Sequence, residues 1–429
     1  MTLAATSGQI DQAALRYAPN QRHSRHGHAT WLDPDRMSKG GMDAAQGVLR
    51  SPPVKDSLQR FSLTLMVNHA CNLRCTYCYT GAKFSSPMNW TIGVVAIDRA
   101  LRSLGPGGRL GLGFFGGEPL LEAGRILDWM EHARTQAMAG GTQVRFSMTT
   151  NGTLVPPQAW RVMTAPDLDL TVSCDGPPKT HDLHRRDAQG AGSAQRVEET
   201  LRRLLEAGIP FRINAVVRPD TLEQIPLGLI YLHEIGVRHI DLSLDLWTTW
   251  SAADGRRLEQ AIDRMADLWR QWLPEFSLNW FDAKVAALAR LPMSEGFTPC
   301  GFGDGEVAVA PSGRLYPCER LIGEDRPDQP HRLPGHVLDG RDTLGTPPPA
   351  WERCSTCSSC RLADACDTYC RCSNFVRTGD VNRPDGLLCL LNKAIARSAG
   401  RVLGRPGAMA QHQPNEPEPT KDLLCPMKT

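Results

Sequence analysis

The chain has 429 residues, of which 41% are hydrophobic, so it is long enough for two or three domains with filled cores. Its formal net charge of +2 gives no reason to expect a nucleic-acid or membrane partner. No apolar stretch is long enough for a membrane span, and Met1 to Asp35 hold no apolar signal-peptide core. Fourteen cysteines without a secretion signal therefore favour metal binding in a reducing cytoplasm over a disulfide framework.

The first 58 residues are polar and show little hydrophobic periodicity, which predicts a flexible N-terminal arm. They contain a histidine cluster at His23, His26 and His28, a residue type that also serves as a metal ligand. Because no cysteine lies nearby and the closest carboxylates are Asp33 and Asp35, the sequence favours a solvated arm.

An apolar run from Phe61 to Val67 predicts a buried strand, and a loop rich in thiols follows it. In this cysteine loop Cys71, Cys75 and Cys78 are spaced C-x3-C-x2-C. A cubane iron–sulfur cluster normally takes four thiolates, so three leave one iron open to a small molecule. Zinc is the alternative, but it usually takes paired knuckles of the C-x2-4-C kind. The spacing favours an iron–sulfur cluster.

From residue 59 to about residue 250 strand and helix patterns alternate, which predicts an α/β fold with a parallel sheet and right-handed crossovers. The predicted strands are Ser62–Val67, Leu110–Phe115, Gln143–Thr149, Leu168–Ser173, Phe211–Val217 and His239–Leu244. The predicted helices are Thr91–Leu104, Leu121–Met138, Pro157–Thr164, Ala194–Ala207 and Leu222–Ile235. This stretch is short for a closed eight-unit barrel, which usually needs about 250 residues.

Two turns follow the second and third strands. The first is Gly116-Gly117-Glu118-Pro119, where two glycines let the backbone approach a ligand and a carboxylate can hold an ammonium group. The second contains Asn151-Gly152, which is a turn signal in its own right. A purely structural turn remains the alternative for both.

The fourth strand ends in Ser173-Cys174-Asp175-Gly176-Pro177, and Arg185 follows eight residues after Pro177. Ser173 and Arg185 are candidates for holding a carboxylate, because the forked donors of arginine suit bidentate binding. Cys174 alternates with Ser173 along the strand and is predicted to be a small buried residue rather than a ligand. Asp175 and Gly176 are assigned to the turn.

Residues 251–295 predict bridging helices, residues 296–395 a cysteine-rich domain, and residues 396–429 a flexible tail. A β-hairpin is predicted over Glu306–Ala310 and Arg314–Tyr316. The candidate ligands of this domain are Cys300, Cys318, Cys354, Cys357, Cys360, Cys366, Cys370, Cys372 and Cys389. Cys425 is isolated in the tail and is taken as a bystander.

The cysteine loop, the G-G-E-P turn and the S-x-D-G-P…H-D…R block together resemble the motifs of radical S-adenosylmethionine (SAM) enzymes. The resemblance implies a partial (β/α)6 barrel whose 4Fe–4S cluster is held by Cys71, Cys75 and Cys78. It implies that SAM binds the open iron and is cleaved to methionine and a 5′-deoxyadenosyl radical, which abstracts a substrate hydrogen. The residues expected to contact SAM are Gly116, Gly117, Glu118, Asn151, Ser173 and Arg185.

The C-terminal cysteine spacing resembles the SPASM domain of peptide- and protein-modifying radical SAM enzymes, which carries two auxiliary 4Fe–4S clusters. Position by position, the resemblance implies one auxiliary cluster on Cys300, Cys318 and Cys370, with its fourth ligand missing. The alternatives for the fourth ligand are Cys354, Cys372 or an iron that no side chain binds. The other cluster is expected on Cys357, Cys360, Cys366 and Cys389. Zinc ribbons are the alternative for the whole domain.

Glu319 directly follows Cys318. In the sulfatase-maturing relatives an Asp at this position takes a proton from the substrate radical, so the resemblance implies a catalytic base here. A carboxylate beside a cluster in a closed cavity suits that role. A surface ion pair with Arg320 is the alternative.

The resemblance implies an enzyme of the radical SAM oxidoreductase or maturase type, acting on a peptide, including ribosomally synthesised ones. The expected product carries a crosslink or an oxidised residue. Oxidation of a small-molecule alcohol or sugar is the second hypothesis, and a non-catalytic iron–sulfur scaffold is the third. The expected partners are a peptide or protein substrate, an electron donor such as flavodoxin or ferredoxin, and a separate leader-peptide-recognition protein. The N-terminal arm is short and polar for such a recognition domain.

Overall fold

The computed structural model describes residues 58–289, 302–303, 305–329, 331–344, 355–366 and 370–402. The chain divides at Ser57, and everything described belongs to the unit that begins at Leu58. The predicted N-terminal arm and most of the predicted tail lie outside these residues, and so do Cys300, Cys354 and Cys425.

A nine-stranded sheet organises the described unit, with the order β7-β6-β5-β4-β3-β2-β1-β8-β9. Strands β1 to β8 pair in parallel with their neighbours, and only β8 and β9 form an antiparallel pair. The strands are β1 Leu58–Met66, β2 Leu104–Phe115, β3 Gln143–Thr150, β4 Leu168–Ser173, β5 Arg212–Val217, β6 His239–Leu244, β7 Ser277–Leu278, β8 Glu306–Val309 and β9 Leu315–Tyr316. The predicted α/β class, with six parallel strands as in a partial barrel, is confirmed.

Helices connect successive strands, as parallel pairing requires. They are α1 Trp90–Arg102, α2 Ala123–Ala139, α3 Pro157–Met163, α4 Pro178–His184, α5 Ala194–Glu206, α6 Ile225–Ile235, α7 Ala252–Gln271, α8 Asn279–Ala289, α9 Ser355–Ser358, α10 Arg371–Thr378 and α11 Gly386–Val402. Several begin or end where the sequence supplies a cap. Ser251 and Asp254 form a capping box at the start of α7, and Gly236 adopts φ 112° at the end of α6.

The core lies between the sheet and its helices, and one glycine fixes the packing of α1 against α2. The Trp129 ring on α2 is fully buried. A Cβ atom at Gly93 of α1 would lie 2.3 Å from that ring. The two helices can therefore approach only because residue 93 has no side chain.

Two features of the fold were not predicted. Helix α4 follows directly after Pro177, in a stretch for which the sequence analysis predicted no helix. The predicted hairpin β8–β9 is present, but β8 pairs in parallel with β1 from Ser62 to Leu65 and so extends the barrel sheet. This pairing covers an edge that would otherwise leave backbone groups of β1 unpaired.

Within the described part of the chain, no helix combines the length and the apolar composition that a membrane crossing demands.

We expect Gly93→Ala to lower the free energy of unfolding by about 1–3 kcal/mol, because the added methyl group must displace a fully buried indole. Urea unfolding of anaerobically purified protein, followed by circular dichroism, measures the change. Gly124→Ala is the matched control, because its Cβ would meet only the flexible end of the Gln158 side chain. Equal stability of the two variants would contradict the proposed close packing.

Candidate functional site

The sequence-predicted motifs lie together at the carboxyl edge of the sheet. The cysteine loop follows β1, the G-G-E-P turn follows β2, the Asn151 turn follows β3, and Ser173 ends β4. Because neighbouring parallel strands end at the same edge, four separate stretches of sequence form one continuous surface there.

The G-G-E-P turn packs directly on the start of the cysteine loop. The backbone N–H of Gly117 donates to the Asn68 carbonyl (2.9 Å), and that of Glu118 donates to the Ala70 carbonyl (2.9 Å). A Cβ atom at Gly116 would lie 2.5 Å from the Asn68 carbonyl oxygen, and one at Gly117 would lie 2.1 Å from that of Ala70. The two glycines are therefore needed for the contact between the loops. Contact of their backbone with SAM stays a prediction.

Glu118 links the G-G-E-P turn to the turn after β3. Its buried carboxylate accepts hydrogen bonds from the Leu120 N–H (3.0 Å), the Thr150 hydroxyl (2.7 Å) and the Asn151 N–H (2.8 Å). Burial raises the pKa of Glu118 although these three donors oppose the shift. The carboxylate is thus held in one position at the centre of the edge.

Asn151 connects this edge back to the cysteine loop. Its side-chain Nδ2 donates to Asn72 Oδ1 (2.9 Å) and lies 3.8 Å from Cys71 Sγ. Its Oδ1 accepts from the Thr153 backbone (3.0 Å) and hydroxyl (2.6 Å). The residue therefore builds its own turn, as one alternative from the sequence predicts, and also contacts the cysteine loop. Its contact with SAM stays a prediction.

The three thiols of the cysteine loop are half-buried and free of disulfide bonds. Burial raises the pKa of Cys71 to about 11 and also raises the pKa of Cys75. Burial opposes ionisation of Cys78 as well, but the charge and hydrogen bond of Lys83 (3.0 Å from Nζ to Sγ), aided by Thr80, outweigh it and lower that pKa. A cation next to a thiol favours the thiolate that a metal requires.

The donor set fits an iron–sulfur cluster chemically. Among the described residues, no group of three or more His, Cys, Asp or Glu side chains converges closely enough for a single metal ion. A cubane does not need such convergence, because each thiolate binds a different iron. Three thiols on one loop, with a fixed backbone and a nearby cation, suit three corners of such a cluster.

Beneath the cysteine loop lies a buried ion pair that the sequence did not reveal. Arg185 donates from Nε and Nη2 to the two oxygens of Asp175 (2.9 and 3.1 Å), and the Tyr77 hydroxyl donates to the same carboxylate (2.5 Å). Burial alone would raise the pKa of Asp175, but the charge and hydrogen bonds of Arg185 hold it below its usual value. The forked donors of Arg185 therefore face Asp175. The one feature of the sequence that could have indicated this buried group is Tyr77, which lies inside the cysteine motif.

Ser173 and Cys174 occupy the end of β4. Ser173 is mostly buried and pairs with Asn214 of β5. Cys174 is buried as predicted, and burial raises the pKa of its thiol to about 12. Cys174 thus behaves as a small core residue.

The two tryptophans after β6 differ in their surroundings. Trp250 is buried and donates to the Asp245 carbonyl (2.9 Å), whereas Trp247 is 45% exposed. Tyr79, the residue after Cys78, stacks on Trp247 with a centroid distance of 4.6 Å. Burial raises the pKa of the Tyr79 phenol well above its usual range, and the charge of Glu319 raises it further. Tyr79 thereby connects the cysteine loop to the C-terminal region.

The C-terminal cysteines fall into two groups. In the first, Cys370 Sγ lies 3.5 Å from Cys372 Sγ, and Cys318 packs in the same buried cluster as Cys372. In the second, burial raises the pKa of Cys389 to about 11, and Cys366 and Cys360 add to this shift through their charge. The remaining member, Cys357, accepts a backbone hydrogen bond from Cys360 (3.2 Å). The SPASM domain and the partition of its thiols between two clusters stay predictions. Their ligation stays a prediction.

Glu319 and Arg320 point to different partners. Glu319 Oε2 lies 3.5 Å from Cys318 Sγ. Arg320 is half-buried and donates to the Ser373 hydroxyl (3.4 Å), and the thiols of Cys372, Cys370 and Cys318 raise its pKa against the effect of burial. Glu319 therefore lies beside a thiol, and its charge also acts on Tyr79.

Comparison with known proteins agrees with this site. Residues 65–226 match the Radical SAM superfamily. Radical SAM cyclopropyl synthase TigE of Paramaledivibacter caminithermalis is 21% identical over 355 residues, covering 78% of this chain and 73% of TigE. The cysteine-type anaerobic sulfatase-maturating enzyme of Clostridium perfringens is 25% identical over 279 residues, covering 61% of this chain and 75% of that enzyme.

Two groups of solved structures share the fold. The structure of anSMEcpe with bound AdoMet and Kp18Cys peptide has a TM-score of 0.65 at 20% identity and covers 80% of this chain and 97% of its own. Streptococcus suis SuiB bound to precursor peptide SuiA has a TM-score of 0.54 at 16% identity and covers 77% of this chain and 76% of its own.

The α/β sheet, with its cysteine loop at the carboxyl edge, and the superfamily match define a radical SAM domain. Residues 65–226 of the chain thus form a radical SAM domain. Its cofactors are accordingly a 4Fe–4S cluster and SAM.

We expect Asp175→Asn to lower the free energy of unfolding by about 3 kcal/mol, because it leaves the buried Arg185 guanidinium without its counter-charge. Thermal unfolding of the anaerobic protein measures the loss. Asp169→Asn is the matched control, because its pair with Arg145 (3.5 Å) is exposed and should contribute little. A similarly small effect of both substitutions would contradict the structural role of Asp175.

Proposed function

We propose that the chain is a radical SAM maturase that abstracts a hydrogen atom from a residue of a peptide or protein substrate. The product carries a crosslink or an oxidised residue. The observation that carries the proposal is the association of the cysteine loop with two cysteine groups of SPASM-like spacing in one described unit. When bound, the cluster and SAM supply the radical that takes the hydrogen.

In this proposal Cys71, Cys75 and Cys78 bind the iron–sulfur cluster. Glu118 and the backbone of Gly116 and Gly117 receive the amino end of SAM. The support is positional, because the Glu118 carboxylate is fixed beside the cysteine loop by three donors. These donors use part of the carboxylate's capacity, since an ionised carboxylate offers about four lone-pair sites.

Three further residues complete the proposed SAM site. Asn151 contacts SAM from a position next to Cys71, and Ser173 does so from the end of β4. Arg185 acts indirectly, because its bidentate donors already bind Asp175. We therefore assign Arg185 the task of positioning Tyr77 in the cysteine loop through Asp175.

The proposed substrate class is supported by relatives that act on polypeptides. anSMEcpe has been solved with peptides, and SuiB has been solved with its precursor peptide SuiA. For this chain the substrate would enter past the exposed face of Trp247, which stacks on Tyr79. An electron donor of the flavodoxin or ferredoxin type would reduce the clusters.

A second candidate function is oxidation of a small-molecule alcohol or sugar. GTP 3',8-cyclase of Mycobacterium sp. is 32% identical over 233 residues, which cover 51% of this chain. That relative is named for a small-molecule substrate. Its match spans less of this chain than that of TigE, so we rank this function below peptide modification.

The test of the proposed function is co-expression with short peptides encoded next to the gene, followed by mass spectrometry. We expect a peptide that loses two hydrogens, with fragments that locate the new bond. Cys71→Ala should abolish the change, because the cluster loses a ligand. Cys174→Ala is the matched control and should retain it, because that thiol is buried in the core.

A second experiment tests whether the chain is an enzyme at all. Anaerobic reconstitution of the full chain with iron, sulfide, SAM and a reductant should yield 5′-deoxyadenosine, even without substrate. Absence of that product, or zinc in place of iron and sulfide in the purified protein, would contradict it. Modification of a sugar or alcohol, with every peptide unchanged, would select the second candidate.

We also propose Glu319 as the base that takes a proton from the substrate radical. Its carboxylate lies beside Cys318 and near Tyr79, where a substrate over Trp247 would be within reach. Glu319→Gln should lower the rate of product formation by about 100-fold or more, since general bases contribute factors of this size.

Formation of 5′-deoxyadenosine should persist in Glu319→Gln, because the base acts after hydrogen abstraction. Liquid chromatography of both products in one assay separates the two steps. Glu319→Asp should retain partial activity, and Glu131→Gln, at an exposed site on α2, is the control for charge alone. Normal product formation by Glu319→Gln would exclude the proposed role.

A further inference from the structure

The loop that follows Cys78 folds its own lysine back onto that thiol. Lys83 Nζ lies 3.0 Å from Cys78 Sγ, 2.5 Å from Thr80 Oγ1 and 2.9 Å from the Gly81 carbonyl oxygen. A lysine ammonium has three N–H donors and no acceptor. Each donor of Lys83 therefore has one acceptor, and all three acceptors belong to residues 78–81. The ammonium is held at the sulfur rather than free in solvent.

Backbone contacts fix the shape of this lysine-bearing loop. Gly81 adopts φ 73°, in the left-handed region that favours glycine, and its N–H donates to the Cys78 carbonyl (3.4 Å). The next N–H, that of Ala82, donates to Glu324 Oε1 (3.0 Å) from the C-terminal region. Because the backbone is held directly before Lys83, the contact of its ammonium with Cys78 belongs to the folded loop.

The other two thiols of the cysteine loop have different surroundings. Cys71 Sγ accepts from the Leu73 N–H (3.4 Å) and lies 3.8 Å from Asn151 Nδ2, and both of these groups are neutral. In the described part of the chain, neither Cys71 nor Cys75 receives a hydrogen bond from a cation. The ammonium therefore distinguishes Cys78 from its two neighbours.

We infer that Lys83 is a positioning residue of the SAM cluster, because it keeps its hydrogen bond to the Cys78 sulfur when that thiolate binds iron and thereby makes the cluster easier to reduce. The inference rests on the cluster ligands of the proposed function and does not depend on the substrate class. Net charge and hydrogen bonds to the sulfurs are among the factors that set the potential of an iron–sulfur cluster. A fixed ammonium stabilises the reduced state, which has one more negative charge, more than the oxidised state.

The step that Lys83 favours is a one-electron transfer. The electron passes from a donor of the flavodoxin or ferredoxin type to the cluster, the donor is oxidised, and no bond forms or breaks. Lys83 keeps its proton throughout. Because SAM cleavage needs the reduced cluster, a lysine in this position lets a weaker donor start the reaction.

The experiment is an anaerobic potentiometric titration of the reconstituted full chain, followed by electron paramagnetic resonance. A loop variant, in which Cys71, Cys75 and Cys78 are all replaced by Ala, supplies the signal of any auxiliary clusters. Subtracting that signal isolates the SAM cluster. The iron content of each protein shows how fully this cluster is loaded.

Three variants are compared with the unmodified chain. Lys83→Met removes the charge and the donors from a side chain of similar length, whereas Lys83→Arg keeps both. Lys179→Met, at an exposed site on α4, is the matched control for the loss of a lysine charge.

We expect Lys83→Met to lower the ratio of reduced to oxidised SAM cluster about tenfold at a fixed potential, since hydrogen bonds to charged groups contribute free energies of this order. A tenfold change corresponds to a midpoint about 59 mV more negative for a one-electron couple. Lys83→Arg should stay closer to the unmodified chain, and Lys179→Met should match it. All of these proteins should bind about 4 more iron per chain than the loop variant.

A second readout separates an effect on the potential from a purely structural role. Formation of 5′-deoxyadenosine by Lys83→Met should fall when reduced flavodoxin is the donor. It should return to the level of the unmodified chain with titanium(III) citrate, a stronger reductant. A lysine that only shaped the loop would lower both rates alike, and that result would contradict the inference.

An unchanged midpoint in Lys83→Met, or an equal shift in Lys179→Met, would also overturn the inference. If Lys83→Met does not retain the cluster, Lys83→Gln takes its place, and an unchanged midpoint in that variant has the same meaning. An unmodified chain that binds no more iron than the loop variant would remove the SAM cluster from these thiols, and the proposed function would fail as well. A loaded cluster whose midpoint does not respond to Lys83 would overturn the inference alone.

Discussion

The buried carboxylate of Glu118 accepts hydrogen bonds from the segments after β2 and β3, and its own backbone N–H is bonded to the cysteine loop after β1. A carboxylate in this position is costly to bury, which is why burial raises its pKa, and only its fixed donors make the arrangement stable. The same hydrogen bonds also hold the site together. Three loops that could otherwise move independently are held to one another at a single residue. A cluster ligand set needs this rigidity, because each thiolate must meet its own iron.

A second constraint joins the two halves of the described unit. Strand β8 pairs with β1, the strand that leads into the cysteine loop, so the C-terminal region is bonded directly to the barrel. Met66, Ala308 and Tyr316 share one buried cluster across that junction. Tyr79 adds a second link, because it follows Cys78 and stacks on Trp247, and because the charge of Glu319 raises its pKa. The cysteine loop and the described C-terminal thiols are therefore parts of one packed unit.

Local pattern was enough to predict the six barrel strands, since apolar runs of this length between helical segments leave few other choices. Strand β4 and strand β6 were predicted to the residue. The pairing of β8 with β1 was not predictable, because it joins residues more than two hundred positions apart and leaves no periodic signal. Helix α4 was missed because prolines at its start are typical of a turn as well as of a first helical position.

The site residues divide in the same way. Those that belong to a local motif were predicted, and those that depend on contacts between distant segments were missed. The motifs named the thiols, Glu118 and Asn151 by chain position alone. The Asp175–Arg185–Tyr77 group depends on three segments meeting under the cysteine loop, and spacing does not encode that meeting. Arg185 illustrates the result, because a forked donor suited to a ligand carboxylate binds a protein carboxylate instead.

In the proposed function the substrate is oriented by side chains near the cysteine loop and the C-terminal thiols, where Trp247 offers an exposed face and Glu319 a carboxylate. Such a site selects a substrate residue by its shape and by the position of the proton that Glu319 removes, rather than by its affinity for iron. A maturase built this way would tolerate variation along the peptide and remain strict about the single residue that reaches Glu319.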